Sequence, residues 1–348
     1  MVYACSDFAY IVHTMVRPLS LAQHTLYADL LEQGADDLFD PEMPENGSIL
    51  VRPNRAGAPT DHAYYQGYRP AAGDADRGQR YARYLGRAND PDVAARIARF
   101  QRVKAVRSER ATTVRALIGA GMPRPDRIAG RIIEAFARAG LFPDHAVLIG
   151  DAAYHTYDGV LGVRSTKTRK AAGRARPAVE IVVRDSPQAA DILAALRAVD
   201  PSFAAPAEAT GSYRWATGMQ VAVTCLDRAE DETANLIGYL TKHPVRALIL
   251  HGPGVPVIVP APERFAVHAL IAQGSRGERA AVEGRARSGP DQASDLIDAL
   301  LFADRIHALA VAISAAGTVR PRWQQTLSAC IARLPDAIRL SLTAAVRM

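Results

Sequence analysis

Between Leu141 and Asp185 the sequence sets a glycine turn, a run of cations and an acid at spacings suited to a phosphate-bearing ligand. The apolar run Ala146-Val-Leu-Ile149 ends in Gly150-Asp151 at a helix start. Backbone amides at such a start hold anions, and Asp is also a common N-cap there. The segment from Arg164 to Arg176 carries six positive charges, among them Arg164, Lys167, Arg169 and Lys170, and no acid. It reads either as a surface for triphosphate or RNA backbone or as a solvated loop. The strand Ala178-Val-Glu-Ile-Val-Val183 then places Glu180 two residues after Ala178, and strand alternation puts both on one face. Chemistry on a nucleoside triphosphate needs this frame together with a cluster of metal-binding carboxylates. The frame is complete in the sequence and the cluster is thin.

A second constellation lies upstream. Tyr64, Tyr65, Tyr68, Tyr81 and Tyr84 alternate with Arg69, Arg77, Arg80 and Arg83 over short β-like pieces. Rings for stacking and guanidinium groups for phosphates make Tyr65, Tyr68, Arg80 and Arg83 the candidate nucleic-acid surface. The alternative is that the tyrosines cover the core of a small sheet. His155 and His268 read as structural, and no Ser/His/Asp or Cys/His motif points to nucleophilic catalysis.

The elements that must position these residues follow from periodicity and punctuation. Ser20 caps an amphipathic helix ending at Gly34, and Asp40 to Asn46 is a loop. Ser48–Arg52, His62–Tyr68 and Gln79–Leu85 predict a small antiparallel sheet. Pro91 to Ala139 is helical with a break at Gly121-Met-Pro-Arg-Pro125, and its many arginines read as a solvated face. After Asp185, Ser186–Val199 predicts a helix, Tyr213–Leu226 two strands, and Val245–Pro260 two more. Pro262–Gln273, Asp291–Ala315 and Pro321–Val346 predict helices, with Gly274–Pro290 a mobile Gly/Arg-rich segment. The expected fold class is α+β with an α/β-like core: a mixed sheet with helices, preceded by a helix and small antiparallel sheet and followed by a helical region. The expected divisions are 15–140, 141–260 and 261–348.

Composition bounds the classes. The chain has 348 residues, nearly half of them apolar, and a net charge of +6 carried by Arg far more than Lys. That balance reflects either a GC-rich coding sequence or contact with nucleic acid. Three scattered cysteines, Cys5, Cys225 and Cys330, fit no zinc spacing and suit a reducing cytoplasmic compartment. No apolar run reaches the roughly 20 residues of a membrane span. Residues 1 to 14 lack periodicity, so Met15, ahead of Arg17-Pro-Leu-Ser20, is an alternative start to Met1.

The series Tyr64-Tyr65, Arg80-Tyr, Arg83-Tyr-Leu-Gly86, Gly140-Leu-Phe142, Val147-Leu-Ile-Gly150, Tyr157-Asp-Gly-Val-Leu-Gly-Val-Arg164 and Val257 to His268 resembles bacterial nucleotidyltransferase-like proteins of the nucleotidyltransferase-fold superfamily. The resemblance implies a Gly turn holding a triphosphate, two acids one residue apart on the next strand, and a third acid on a neighbouring strand, all sharing magnesium. The matching positions are Gly150, with Asp151 in place of a small residue; Ala178 and Glu180; and Ala222. The place of a phosphate-pairing lysine falls on Ala269. Glu180 is thus the implied metal ligand, with Asp151 the other catalytic candidate, and Mg2+ and a nucleoside triphosphate are the implied cofactors of an active member. The expected function is a pseudoenzyme that binds a nucleotide, RNA or a protein partner. The alternatives are a metal-dependent nucleotidyltransferase with acids relocated to Asp151, Asp158, Asp185 or Asp227, and a nucleic-acid-binding regulator working through the tyrosine/arginine sheet.

Overall fold

In a computed structural model, residues 16–35, 38–40, 42–53, 61–69, 79–142, 145–165, 179–183, 189–205, 211–214, 220–226, 232–283 and 292–346 are described. The first helix, α1 (Leu21–Glu32), begins with a capping box: Ser20 Oγ accepts from Gln23 N–H and Gln23 Oε1 accepts from Ser20 N–H. Ahead of it, β1 (Val16–Pro18) begins the described chain. The strands β2 (Ser48–Arg52), β3 (His62–Arg69) and β4 (Gln79–Arg87) form the expected antiparallel sheet in that order.

Helix α2 (Pro91–Gly119), capped by Asp90 with Pro91 in its first turn, is the spine of the N-terminal half. Its 29 residues span about 43 Å. Val93 and Phe100 fill the small sheet's core with Met43, Ala63, Tyr65 and Leu85. Val114 and Leu117 join Leu19, Tyr27, Leu30, Met122, Leu248 and Leu250 in a second core. Between the two, Arg110 is only 3% exposed and donates to Pro253 O, Gly254 O and Gln33 Oε1. A buried cation persists when its donors are satisfied in this way.

After the Gly121 break, α3 (Arg127–Arg138) packs on α6 (Ala189–Val199), and Asp126 caps it. The four-stranded mixed sheet has the order β5-β7-β9-β8, built from β5 (Ala146–Ile149), β7 (Val179–Val183), β8 (Gly211–Arg214) and β9 (Gln220–Cys225). Only β7 and β9 run parallel. Two short helices, α4 (Gly150–Tyr154) and α5 (Tyr157–Leu161), follow β5. The chain then enters β6 (Val163–Ser165), which pairs with β1. The basic segment expected as loop from Arg164 therefore begins as a strand, because Val16–Pro18 supplies the partner; residues 166–178 lie outside the described residues.

Helix α7 (Glu232–Thr241) leads to the hairpin β10 (Val245–Ile249) and β11 (Val255–Val259). Helix α8 (Pro262–Glu283) runs ten residues beyond its expected end. Gly274 is absorbed because Thr326 and Cys330 pack where a Cβ would stand. So 274–283 is helix rather than a mobile segment, while 284–290 lies outside the described residues. The single helix expected over Asp291–Ala315 is two, α9 (Gln292–Phe302) and α10 (Ile306–Val319), separated by Asp304 at φ 55. The last is also two, α11 (Pro321–Ile331) and α12 (Asp336–Val346), broken at Pro335, whose ring clashes with the preceding turn. One hydrophobic core draws on residues from Val16 through Leu342. The fold is α+β: a mixed four-stranded sheet with helices, preceded by a helix and a small antiparallel sheet and followed by a helical region.

Candidate functional site

Strand β5 delivers the chain to Gly150, whose φ of +69 is in the left-handed region that glycine alone adopts readily. The register sets Ile149 opposite Glu180, Glu180 opposite Ala222 and Ala222 opposite Ser212, one row across all four strands. A Cβ on Gly150 would stand 2.5 Å from Glu180 Oε1, so the carboxylate of β7 lies directly on the turn. The φ favours glycine there, and any Cβ would in addition make the Glu180 carboxylate move aside. Glu180 is half-buried, whereas its neighbours Val179 and Ile181 are buried.

Asp151, next in the chain, accepts from Gln292 Nε2 at 2.7 Å, which ties the turn to the start of α9. Beneath the turn, Tyr154 and Tyr157 pack with Phe265 of α8, and the Tyr157 hydroxyl donates to Pro260 O. Burial pushes the Tyr157 hydroxyl pKa well up, with Glu263 adding to the shift, so that hydroxyl stays a donor. Asp158 is buried in α5, near Tyr27. Asp185 and Asp227 lie outside the described residues.

Of the implied phosphate ligands, Lys167, Arg169 and Lys170, like Ala178, lie outside the described residues. Arg164 donates to Ala120 O at 2.7 Å, at the C-terminal end of α2. That is the end where a helix leaves carbonyls unsatisfied and favours a cation. His155 and His268 sit in ring contact with Tyr154 and Phe265, and Ala269 packs against the main core. Among the described residues no group of three or more His, Cys, Asp or Glu is placed to hold a metal ion.

The proposed nucleic-acid set divides between the two faces of its sheet, which corrects the expectation that it forms one surface. Tyr65, 1% exposed, is core: its ring meets Phe100 edge-on and its hydroxyl donates to Pro44 O. Arg83, its register partner, shares that inward side at the rim and donates to Glu42 O. Tyr68 and Arg80 pair on the opposite side, with Tyr68 49% exposed. Period-2 alternation within Tyr64-Tyr-Gln-Gly-Tyr68 carried the signal: it groups Tyr68 with Tyr64 and Gln66, and Tyr65 with Gly67. Tyr84, the partner of Tyr64, belongs to the outward group as well.

A cleft of about 280 Å³ opens elsewhere, between α2 and the β10–β11 turn, with Lys104, Arg107, Ser108 and Glu45 against Gly252 and Pro253. Its cations are engaged: Lys104 with Gly47 O, and Arg107 with Leu38 O and the Glu134 carboxylate.

A family described as nucleotidyltransferase matches residues 127–316, more than half of the chain, and takes in the whole β5-β7-β9-β8 sheet with its Gly150 turn. The chain belongs to that nucleotidyltransferase family. Nothing among curated proteins or solved structures matches it. No described helix is long and apolar enough to cross a membrane.

Proposed function

We propose that this chain keeps the nucleotidyltransferase fold as a binding scaffold, for a nucleotide, RNA or a protein partner, with transfer chemistry reduced to near nothing. The observation that carries the reading is the register of β7 and β9, in which Glu180 faces the methyl group of Ala222. A neighbouring-strand carboxylate would have to stand at that position to share a metal with Glu180. The other companion, Ala178, also lacks a carboxylate. A magnesium–triphosphate pair needs several oxygen ligands from the protein and the nucleotide together, and one glutamate pressed onto a glycine turn does not fit that need. Each missing ligand removes several kcal/mol of charge stabilisation, and about 1.4 kcal/mol is already tenfold in rate. Of the acids that the relocated-acid alternative would use, Asp151 is bonded to Gln292 and Asp158 is buried, and Asp185 and Asp227 lie outside the described residues.

The test is incubation of the full chain with α-labelled nucleoside triphosphates, magnesium or manganese, and total RNA and protein from a host cell. The expected outcome is no labelled product above a no-protein control. Label that appears with the native chain and vanishes in Glu180→Gln would overturn the proposal.

A further inference from the structure

We propose that the outer face of the β2-β3-β4 sheet binds single-stranded RNA. This is a different sheet from the one that carries Gly150 and Glu180, so the inference holds whether or not that core transfers nucleotides.

The inner face is already committed, since Tyr65, Ala63 and Leu85 are buried against Val93 and Phe100 of α2. Alternation therefore sends the other residues of each strand outward. The register aligns them in rows: Arg52, His62 and Arg87; Leu50, Tyr64 and Tyr84; Ser48, Gln66 and Ala82; Tyr68 and Arg80. Tyr84 is 53% exposed, and Tyr68 nearly as much. Single exposed rings are ordinary on strands; what distinguishes this face is how its rings and their neighbours are arranged.

Two features make the face suited to bases and phosphates. The first is a preorganised ring platform. Tyr64 and Tyr84 lie 5.4 Å apart between centroids, the Tyr84 hydroxyl is bonded to His62 Nδ1 at 3.1 Å, and the Arg52 guanidinium stands 5.8 Å from the Tyr64 ring centre. A second ring, Tyr68, follows four residues along β3, about 13 Å away by strand rise. The second feature is charge: β2, β3 and β4 contain no Asp or Glu, while Arg52, Arg80 and Arg87 flank the rings. An acid-free face with guanidinium groups beside aromatic rings complements a polyanion that exposes its bases. A duplex hides those base faces, so the partner is single-stranded. Between the two ring sites, Gln66 and Ser48 present an amide and a hydroxyl across neighbouring strands. These groups can reach base edges and the 2′-hydroxyl, the group that separates RNA from DNA.

The test is fluorescence anisotropy of the full chain with a fluorescein-labelled oligouridylate, a duplex of equal length and the matching DNA strand. Tight binding is expected for the RNA strand alone. Tyr68→Ala and Tyr84→Ala should each weaken it roughly 5- to 100-fold, because each removes a stacking surface. Arg80→Ala should lower the salt slope by about 0.7, as for one phosphate contact. Arg333→Ala, which removes an exposed charge from the turn between α11 and α12, should leave the slope unchanged. Both tyrosines are exposed, so circular dichroism should report unaltered folding in their variants. Four results would overturn the proposal: RNA affinity weaker than about 100 µM at low salt; equal affinity for duplex or DNA; tyrosine variants that bind like the native chain; or self-association of the native chain that Tyr84→Ala abolishes, which would assign the face to a second copy.

Discussion

The molecule's two larger sheets treat their chemistry-bearing residues in opposite ways. In the four-stranded sheet, helices and neighbouring strands bury most of the surface, and the one acid that the fold positions, Glu180, is held against Gly150 and opposite Ala222. In the three-stranded sheet only one face packs on α2, and the other presents Tyr64, Tyr68 and Tyr84 with arginines around them. The family match thus takes in the first sheet, while the second, outside it, leaves rings exposed on its outer face. Helix α2 links the small sheet to the β10–β11 hairpin, contributing Val93 and Phe100 to the small sheet's core and Val114 and Leu117 to the core that holds Leu248 and Leu250.

That connection gives the largest expected effect. Arg110 fastens α2 to the β10–β11 turn through Pro253 O and Gly254 O and to α1 through Gln33. Arg110→Ala leaves buried acceptors without donors and should cost about 3 kcal/mol in denaturant unfolding. If α2 is the mechanical link, tryptophan fluorescence in a Trp215→Phe background, where Trp323 of the main core is the one remaining indole, and far-UV circular dichroism should cease to coincide in the variant. Arg110→Met keeps most of the volume and should recover part of the loss. A shift under about 0.5 kcal/mol with coincident transitions would show the two regions to be coupled by other contacts.

The next effect sharpens the account of the Glu180 turn. Gly150→Ala meets two penalties, the left-handed φ and the Glu180 carboxylate, and should cost about 2–3 kcal/mol. Because the crowding comes from a side chain rather than from backbone, Gly150→Ala with Glu180→Ala should cost only about 1–2 kcal/mol relative to Glu180→Ala alone. Equal costs in both backgrounds would mean that the carboxylate does not lean on the turn.

Much of this was legible in the sequence, and the misses share a cause. Strands β2 to β5 and β7, the Gly121 break and the β10–β11 hairpin follow from alternation and turn residues. The position of Ala222 also emerged correctly as a cross-strand neighbour of Glu180. What failed depended on distant partners. Val163–Ser165 becomes a strand only because Val16–Pro18 lies beside it, and α8 continues through Gly274 only because α11 packs on it. Arg110 looks like one arginine among many on a solvated face until the β10–β11 turn supplies its acceptors. Tyr65 falls under the alternative that the tyrosines cover the small sheet's core, and period-2 alternation is what separates it from Tyr64 and Tyr68.

The smallest effects separate the regions by pH. Glu45, below the small sheet, is destabilised as a carboxylate by burial, but two bonds from Arg138, with Arg107 nearby, outweigh that and hold its pKa below the ordinary 4.5. Its contribution is complete above 4.5 and is lost as pH falls through the folded value. His251, at the β10–β11 turn under α3, has its pKa lowered from 6.5 chiefly by burial. Arg131, Arg127 and Arg107 add to the lowering and Glu134 opposes it. The folded state therefore prefers neutral imidazole and the unfolded chain takes up the proton first. Stability from this site is complete above 6.5 and declines as pH falls below it. The two groups act in the same direction but in different windows. In denaturant unfolding from about pH 8 to about pH 4, His251→Gln should flatten the first part of the decline, just below 6.5, and leave the part below 4.5 intact. Glu45→Gln should do the reverse. If either variant flattened both windows, the two sites would be titrating as one coupled cluster through Arg107, which is close to both, and the small sheet and the core would share their electrostatics as well as α2.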